Sequence, residues 1–324
     1  MAYGAYKFSA TGGPDVLAWV EAEVAAPGAD EVLVEHAAIG VNFIDIYHRT
    51  GLYPLPLPSG IGVEGAGVVK AVGSNVTYVK PGDRVAYAGG PPGAYSTGRL
   101  VPAGRVVKIP DGVSFEVAAA LLFKGLTAQY LIHAAYPVKA GETVLLHAAA
   151  GGVGRIAVQW LKHIGATVIG VVSTGEKADI AKAAGADHVV VDTDGAFAPK
   201  VREIAPGGVD VVYDSVGKTT FTGSLDSLRQ RGMMVSFGTS SGPIPPNDGG
   251  IFGAKGSLYF TRCSIAHYMA RRDQLEPGAA SLFNILERGV VTADTFSTFP
   301  LADAAKAQAD LEARRTVGSL VLTV

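Results

Sequence analysis

The chain has one cysteine in 324 residues. That excludes an internal disulfide and any zinc site built from a set of cysteines. Cys263, with Arg262 as its only basic neighbour in sequence, is expected to be a small buried hydrophobe rather than a reactive thiol. Charge is scarce and balanced: Asp, Glu, Lys and Arg make up 17% of the residues and sum to a formal −2. Without a basic run interleaved with aromatics, the electrostatic footprint of a nucleic-acid binder is missing. No stretch approaches 18 uninterrupted apolar residues, and the opening "MAYGAYKFSATGGPDVL" lacks an apolar core of signal-peptide length. The expectation is a cytoplasmic protein with neither membrane nor nucleic-acid partner.

Catalytic signatures are also thin. The seven histidines, at 36, 48, 133, 147, 163, 188 and 267, show no H-x-H or H-E-x-x-H spacing, so each reads as a surface or core histidine and no metal site is expected. There is no G-x-S-x-G, no evident Ser/His/Asp arrangement and no obvious carboxylate pair to act as acid and base.

What is present is core: 48% of the residues are hydrophobic, without low-complexity blocks, enough for one large or two ordinary domains. Up to about residue 125, short strands alternate with glycine and proline punctuation, as in "EVLVEHAAIGV", "GVEGAGVVKAVG" and "RVVKIP". From about 140 the texture changes to apolar strand runs between helical segments: "TVLLHAA", "GVGRIAVQWLKHIG", "TVIGVV", "EKADIAKAAGA", "VDVVYDSVG". Continuous Val/Ile/Leu strands between helices imply a parallel sheet covered on both faces. The helices "SLFNILERG" and "LADAAKAQADLEARR" and the closing strand "GSLVLTV" break that alternation. They are therefore assigned to the first half, giving a β-rich domain of residues 1–125 and 265–324 around an inserted α/β domain of residues 126–264.

The most informative stretch is "HAAAGGVGRIAVQWLK", a strand, a glycine turn and a helix in the order a dinucleotide site requires. Gly151 holds the place of close backbone approach to a pyrophosphate, Gly152 and Val153 open the helix whose free N–H groups attract phosphate, and Gly154 allows tight helix–strand packing. Ala149 replaces the first glycine of G-x-G-x-x-G, a change the turn can absorb if φ stays negative there. A ligand-free tight turn is the ordinary alternative; the complete βαβ unit around this one favours a cofactor. The second strand ends in "VVSTGEK", with Ser173 and Thr174 at the tip where an Asp or Glu meets an unphosphorylated ribose; Glu176, close by, counts the other way. Ser173 and Lys177 instead suit a 2′-phosphate, hence NADPH, although Lys177 could be an ordinary solvated lysine in a helix's first turn.

The plan resembles the medium-chain dehydrogenase/reductase superfamily, with a Rossmann doubly wound sheet inserted in a GroES-like catalytic domain. Its zinc members carry a catalytic cysteine and a Gly-His-Glu motif. Here those positions fall near Asn42 and on Gly62-Val63-Glu64, so the ligand set is gone. Across essentially the whole chain, segments such as "NFIDIYHRTGLYPLPLPSGIGVEGAGVV", "LLFKGLTAQYL", "VVYDSVG", "RGMMVSFGTSSG" and "KGSLYFTR" resemble the zinc-free quinone oxidoreductases, the group that includes zeta-crystallin. The resemblance implies that Asn42 and Tyr47 face the nicotinamide end with Tyr130 nearby, and that Gly152 and Val153 hold the pyrophosphate. It implies further that Ser173 and Lys177 hold the 2′-phosphate, that Phe237, Gly238, Ser240, Phe260 and Arg262 line the nicotinamide and ribose side, and that Arg314 approaches from the C-terminal segment. Asp192 stands where bacterial members carry a tyrosine, and an inward carboxylate there would repel a 2′-phosphate.

The implied activity is reduction of a quinone by NADPH, achieved mostly by positioning. Reduction of the carbon–carbon double bond of enals or enones is the near alternative. A non-catalytic role, in NADPH or RNA binding, is the alternative from another class. The strands "GMMVSFG" and "GSLYFTR" end the parallel run and leave a sheet edge that a second copy can pair, so a homodimer is expected.

Overall fold

The computed structural model describes residues 2–293 and 296–324. The chain forms two compact units, one comprising Met1–Leu126, Met269–Glu287 and Thr292–Val324, the other Thr127–Tyr268 and Arg288–Val291.

The first unit is built on a seven-stranded sheet in which Phe296–Pro300, Ser319–Thr323, Glu31–Val41, Glu64–Val72, Arg84–Ala88 and Val106–Lys108 follow one another, with Gly98–Pro102 also paired to Glu31–Val41. Glu31–Val41 is buried along most of its length rather than at alternate positions, as a strand covered on both faces must be. The last strand runs antiparallel to it, matching Leu320 to Val41 and Leu322 to Ile39. Ala18–Glu23, Ala2–Phe8 and Ser59–Gly60 make a smaller sheet. Val32, Val34, Ile39, Tyr87, Tyr95 and Leu322 belong to the core of this unit.

The second unit is a six-stranded, wholly parallel sheet ordered His188–Val191, Thr167–Val172, Thr143–His147, Val209–Asp214, Leu228–Ser236, Tyr259–Arg262. In chain order that is 3-2-1-4-5-6, the doubly wound arrangement, and its direction reverses between the first and fourth strands. The α/β fold class read from the strand–helix alternation is therefore the observed one. Thr143–His147 and Thr167–Val172, in the middle of the order, are apolar runs buried along nearly their whole length, which is why sequence and sheet agree so closely here.

One element passes a simple test for spanning a membrane. Phe115–Ala135 is long and apolar enough, but 72% of its apolar window is buried within the protein, the mark of a core helix. Its last turn, Leu131–Ala135, widens to π geometry, and the Tyr213 hydroxyl donates to the carbonyl of Leu131 at 3.0 Å and to that of Tyr136 at 3.1 Å. The Leu131 carbonyl also accepts from the Tyr136 amide at 3.1 Å, so the shared hydroxyl proton reinforces an end that the backbone already closes.

Candidate functional site

In the second unit the chain leaves the first strand at His147 and turns sharply into the helix Gly152–Ile164. Ala148, not Ala149, takes the left-handed conformation, at φ +52°. Ala149 keeps out of that region and is fully buried. Its methyl group fits because residue 170 on the neighbouring strand is glycine: a Cβ there would stand 2.8 Å from that of Ala149. Gly154 is equally constrained, since a Cβ on it would lie 2.2 Å from the Ala148 carbonyl oxygen. Gly151 caps the helix in extended conformation, leaving the first helical N–H groups without intrahelical acceptors. The turn thus has the close backbone approach and the exposed amides that a pyrophosphate needs.

The second strand ends at Val172, and Thr174 caps the next helix by accepting from the Lys177 amide at 3.3 Å. Ser173 and Lys177 are half-buried and Glu176 is exposed. The Asp192 carboxylate accepts from the Gly195 amide at 2.9 Å, which ties it into its own turn. On the fifth strand's exit the Phe237 amide donates to the Asp214 carbonyl at 2.8 Å and that of Ser240 to Ser215 at 3.2 Å. Gly238 admits no side chain, because a Cβ would meet the Ser215 carbonyl oxygen at 2.4 Å. Gly151, Gly152, Val153, Ser173, Phe237 and Gly238 all follow the carboxyl ends of their strands, along one rim of the sheet. Tyr130 is buried and stacked on Tyr268, with ring centroids 4.6 Å apart. Phe260 lies on the edge strand, stacked on Phe252 at 5.4 Å and edge-on to Phe221, and Arg262 ends that strand exposed. Arg314 belongs to the first unit and has φ +58°.

A Ser/His/Asp contact does exist here, contrary to the sequence reading. Ser224 Oγ donates to Asp214 Oδ2 at 3.0 Å and lies 2.9 Å from His147 Nε2, all three being buried. The serine stands between the other two with its proton committed to the aspartate, an order that cannot generate a nucleophile. Burial lowers the His147 pKa against the pull of Asp214 and Asp192, so the imidazole stays neutral and donates. The network fastens the first strand to the fourth just beneath the turn.

The first unit contains a second polar cluster. Asn42 caps the helix Phe43–Thr50; its amide N–H donates to Asp45 Oδ2 at 2.9 Å and its Nδ2 to Glu64 Oε2 at 2.8 Å. Glu64 also accepts from the Phe123 amide at 2.6 Å and from Lys124 Nζ at 3.5 Å. Gly40 makes room for it, since a Cβ there would stand 2.1 Å from Glu64 Oε2. Asp45 accepts from the Tyr95 hydroxyl at 3.0 Å, and Gln308 links Tyr95 to the buried Arg49. Burial pushes the Asp45 carboxyl up to about 7 and raises Glu64 as well, in the latter against Lys124 and Asn42. Tyr47 is half-buried and meets Tyr53 edge-on at 5.1 Å. Asp45 and Lys124 escape sequence reasoning. The available signals were an acidic residue three places after the cap Asn42 and a lysine inside the apolar run "LLFKGLTAQYL". Among the described residues no group of three or more His, Cys, Asp or Glu is gathered as a metal site would require. The donor set fits zinc poorly, because Asn42 and Glu64 bond each other and Val63 offers no ligand.

A GroES-like unit joined to a doubly wound unit with a phosphate-type glycine turn defines a medium-chain dehydrogenase/reductase. Residues 28–111 match the alcohol dehydrogenase GroES-like domain family and residues 152–283 the zinc-binding dehydrogenase family. The chain is 50% identical over 318 residues to a quinone oxidoreductase of Pseudomonas aeruginosa, covering 98% of each. It is 46% identical to a 2-haloacrylate reductase of a Burkholderia species, covering 96% of each. The crystal structure of Escherichia coli quinone oxidoreductase complexed with NADPH superposes with a TM-score of 0.97 at 46% identity, over 99% of this chain and 100% of that one. The chain belongs to the quinone oxidoreductase family.

Proposed function

We propose that the protein is an NADPH:quinone oxidoreductase that works without zinc. The observation that carries this is the glycine turn at the carboxyl end of the first parallel strand, in a chain alike over nearly its full length to a quinone oxidoreductase solved with NADPH. Gly151, Gly152 and Val153 would hold the pyrophosphate on the helix N-terminus, and Ser173 and Lys177 the 2′-phosphate. Asp192 accepts from the Gly195 amide, and its carboxylate is a group here that would oppose a 2′-phosphate. Tyr130, Phe237, Gly238, Ser240, Phe260, Arg262 and Arg314 would line the rest of the cofactor, with Asn42 and Tyr47 on the acceptor side. Bound NADPH supplies a hydride; the residues supply orientation and exclude water.

A second reading, reduction of an activated carbon–carbon double bond, is favoured by the likeness to 2-haloacrylate reductase. We further assign the functional protein as a cytoplasmic homodimer paired along Tyr259–Arg262, the exposed end of the parallel sheet.

The test is NADPH oxidation by chelator-treated protein with 1,4-benzoquinone, 2-chloroacrylate or no acceptor, repeated with NADH. Quinone-dependent turnover that survives chelation and prefers NADPH is expected. Turnover with 2-chloroacrylate alone transfers the assignment to double-bond reduction, and loss of turnover on chelation overturns the zinc-free part.

A further inference from the structure

A lysine in the middle of a buried helix is costly unless its charge is used. Lys124 is such a residue: it sits within Phe115–Tyr130, is 7% exposed, and among the described residues hydrogen-bonds only Glu64 Oε2, at 3.5 Å, with Asp45 near enough to feel its charge. That bond is the longest of three that Glu64 accepts, the Phe123 amide and the Asn42 side chain lying closer at 2.6 and 2.8 Å. The ammonium carries three N–H groups and spends one of them weakly. Asn42 Nδ2 and Lys124 Nζ converge on the same carboxylate oxygen, so the two side chains end side by side.

We propose that Lys124 is the electrophilic donor of the reductase, its ammonium hydrogen-bonding the acceptor oxygen on which negative charge develops. The inference rests on the reductase reading and on Asn42 marking the acceptor side. When a hydride adds to a quinone, two electrons reach the acceptor and its oxygen becomes an oxyanion. The nicotinamide is oxidised, and one proton from solvent completes the hydroquinone. In a water-poor setting an ammonium with unspent N–H groups stabilises that oxygen, as a metal ion would in a zinc enzyme. Glu64 holds Lys124 without neutralising it tightly, and Gly40 leaves Glu64 the room to do so.

The experiment compares wild type with Lys124→Met, Lys124→Arg and the double variant Lys124→Met/Glu64→Gln, which leaves no orphaned carboxylate if the single change fails to fold. Three quantities are read: the single-turnover rate from NADPH to 1,4-benzoquinone, the NADPH Kd by fluorescence, and the absorption band of 4-nitrophenol bound to the NADP+ complex. The nitrophenolate oxygen mimics the charged acceptor. Expected are a rate loss of about 100-fold in the Met variants, an NADPH Kd within about twofold of wild type, nitrophenol bound as phenolate only when residue 124 is cationic, and substantial recovery with Arg. A Met variant that keeps its rate and its phenolate band overturns the proposal, as does a rate loss matched by an equal loss of NADPH affinity. Wild type that binds NADPH but reduces neither quinone nor 2-chloroacrylate defeats the reductase reading itself, and this inference with it.

Discussion

Asp45 shows what a buried carboxyl costs at the scale of one residue. It is fully buried, accepts from the Asn42 amide and the Tyr95 hydroxyl, and faces Glu64 and Lys124 from two other elements. Burial lifts it from 3.8 to about 7, so between those values the folded protein binds a proton that the unfolded chain has released. Its contribution to stability is complete below about pH 4 and is lost as pH rises through about 7. Asp45→Asn keeps both acceptor bonds. The urea midpoint of this variant should therefore change less than that of wild type between about pH 5 and pH 8, with the variant the more stable at the upper end; equal slopes would show Asp45 ionised throughout. None of this was legible in the sequence, because the burial is made by Tyr95 and Glu64, distant in the chain. Asn42 and Tyr47 are assigned to the acceptor side only through family resemblance, and no role for Lys124 is read from the apolar run "LLFKGLTAQYL".

At the scale of elements, the strand–turn–helix from Thr143 to Ile164 was readable because glycines, apolar run and helical period all point the same way. Two features were not. Alanine carries no sign that it will adopt φ +52°, as Ala148 does. Nor does Gly170, in the middle of an apolar strand, announce that it faces Ala149. The pair explains how the turn dispenses with its first glycine: the missing space is supplied from the adjacent strand. Gly170→Ala should destabilise the protein by about 1–3 kcal/mol through overpacking, and Ala149→Gly in the same chain should recover much of that loss. A denaturant double-mutant cycle measures the coupling, and additive effects would mean that the two sites do not share the space.

At the scale of the whole molecule, the doubly wound sheet was legible from alternation alone, whereas the pairing partners of the β-rich unit were not, since antiparallel strands carry no order in their sequence. Among the described residues the sheet's last strand is paired on one side only, and it presents Tyr259 at 58% exposure. Tyr259→Lys puts charge on that edge. Sedimentation should then show a dimer for wild type and a monomer for the variant at micromolar concentration; a monomeric wild type removes the assignment. The strand Ser319–Thr323 carries a different consequence. It lies beside Glu31–Val41 in the middle of the first unit's main sheet, nearly three hundred residues away in sequence. On the ribosome, therefore, all six strands of the second unit have been synthesised before the first unit receives the strand its sheet needs. The part of the chain made first is completed last, and until then Ala38–Val41 offers an open edge, while Gly98–Pro102 already covers Glu31–Glu35.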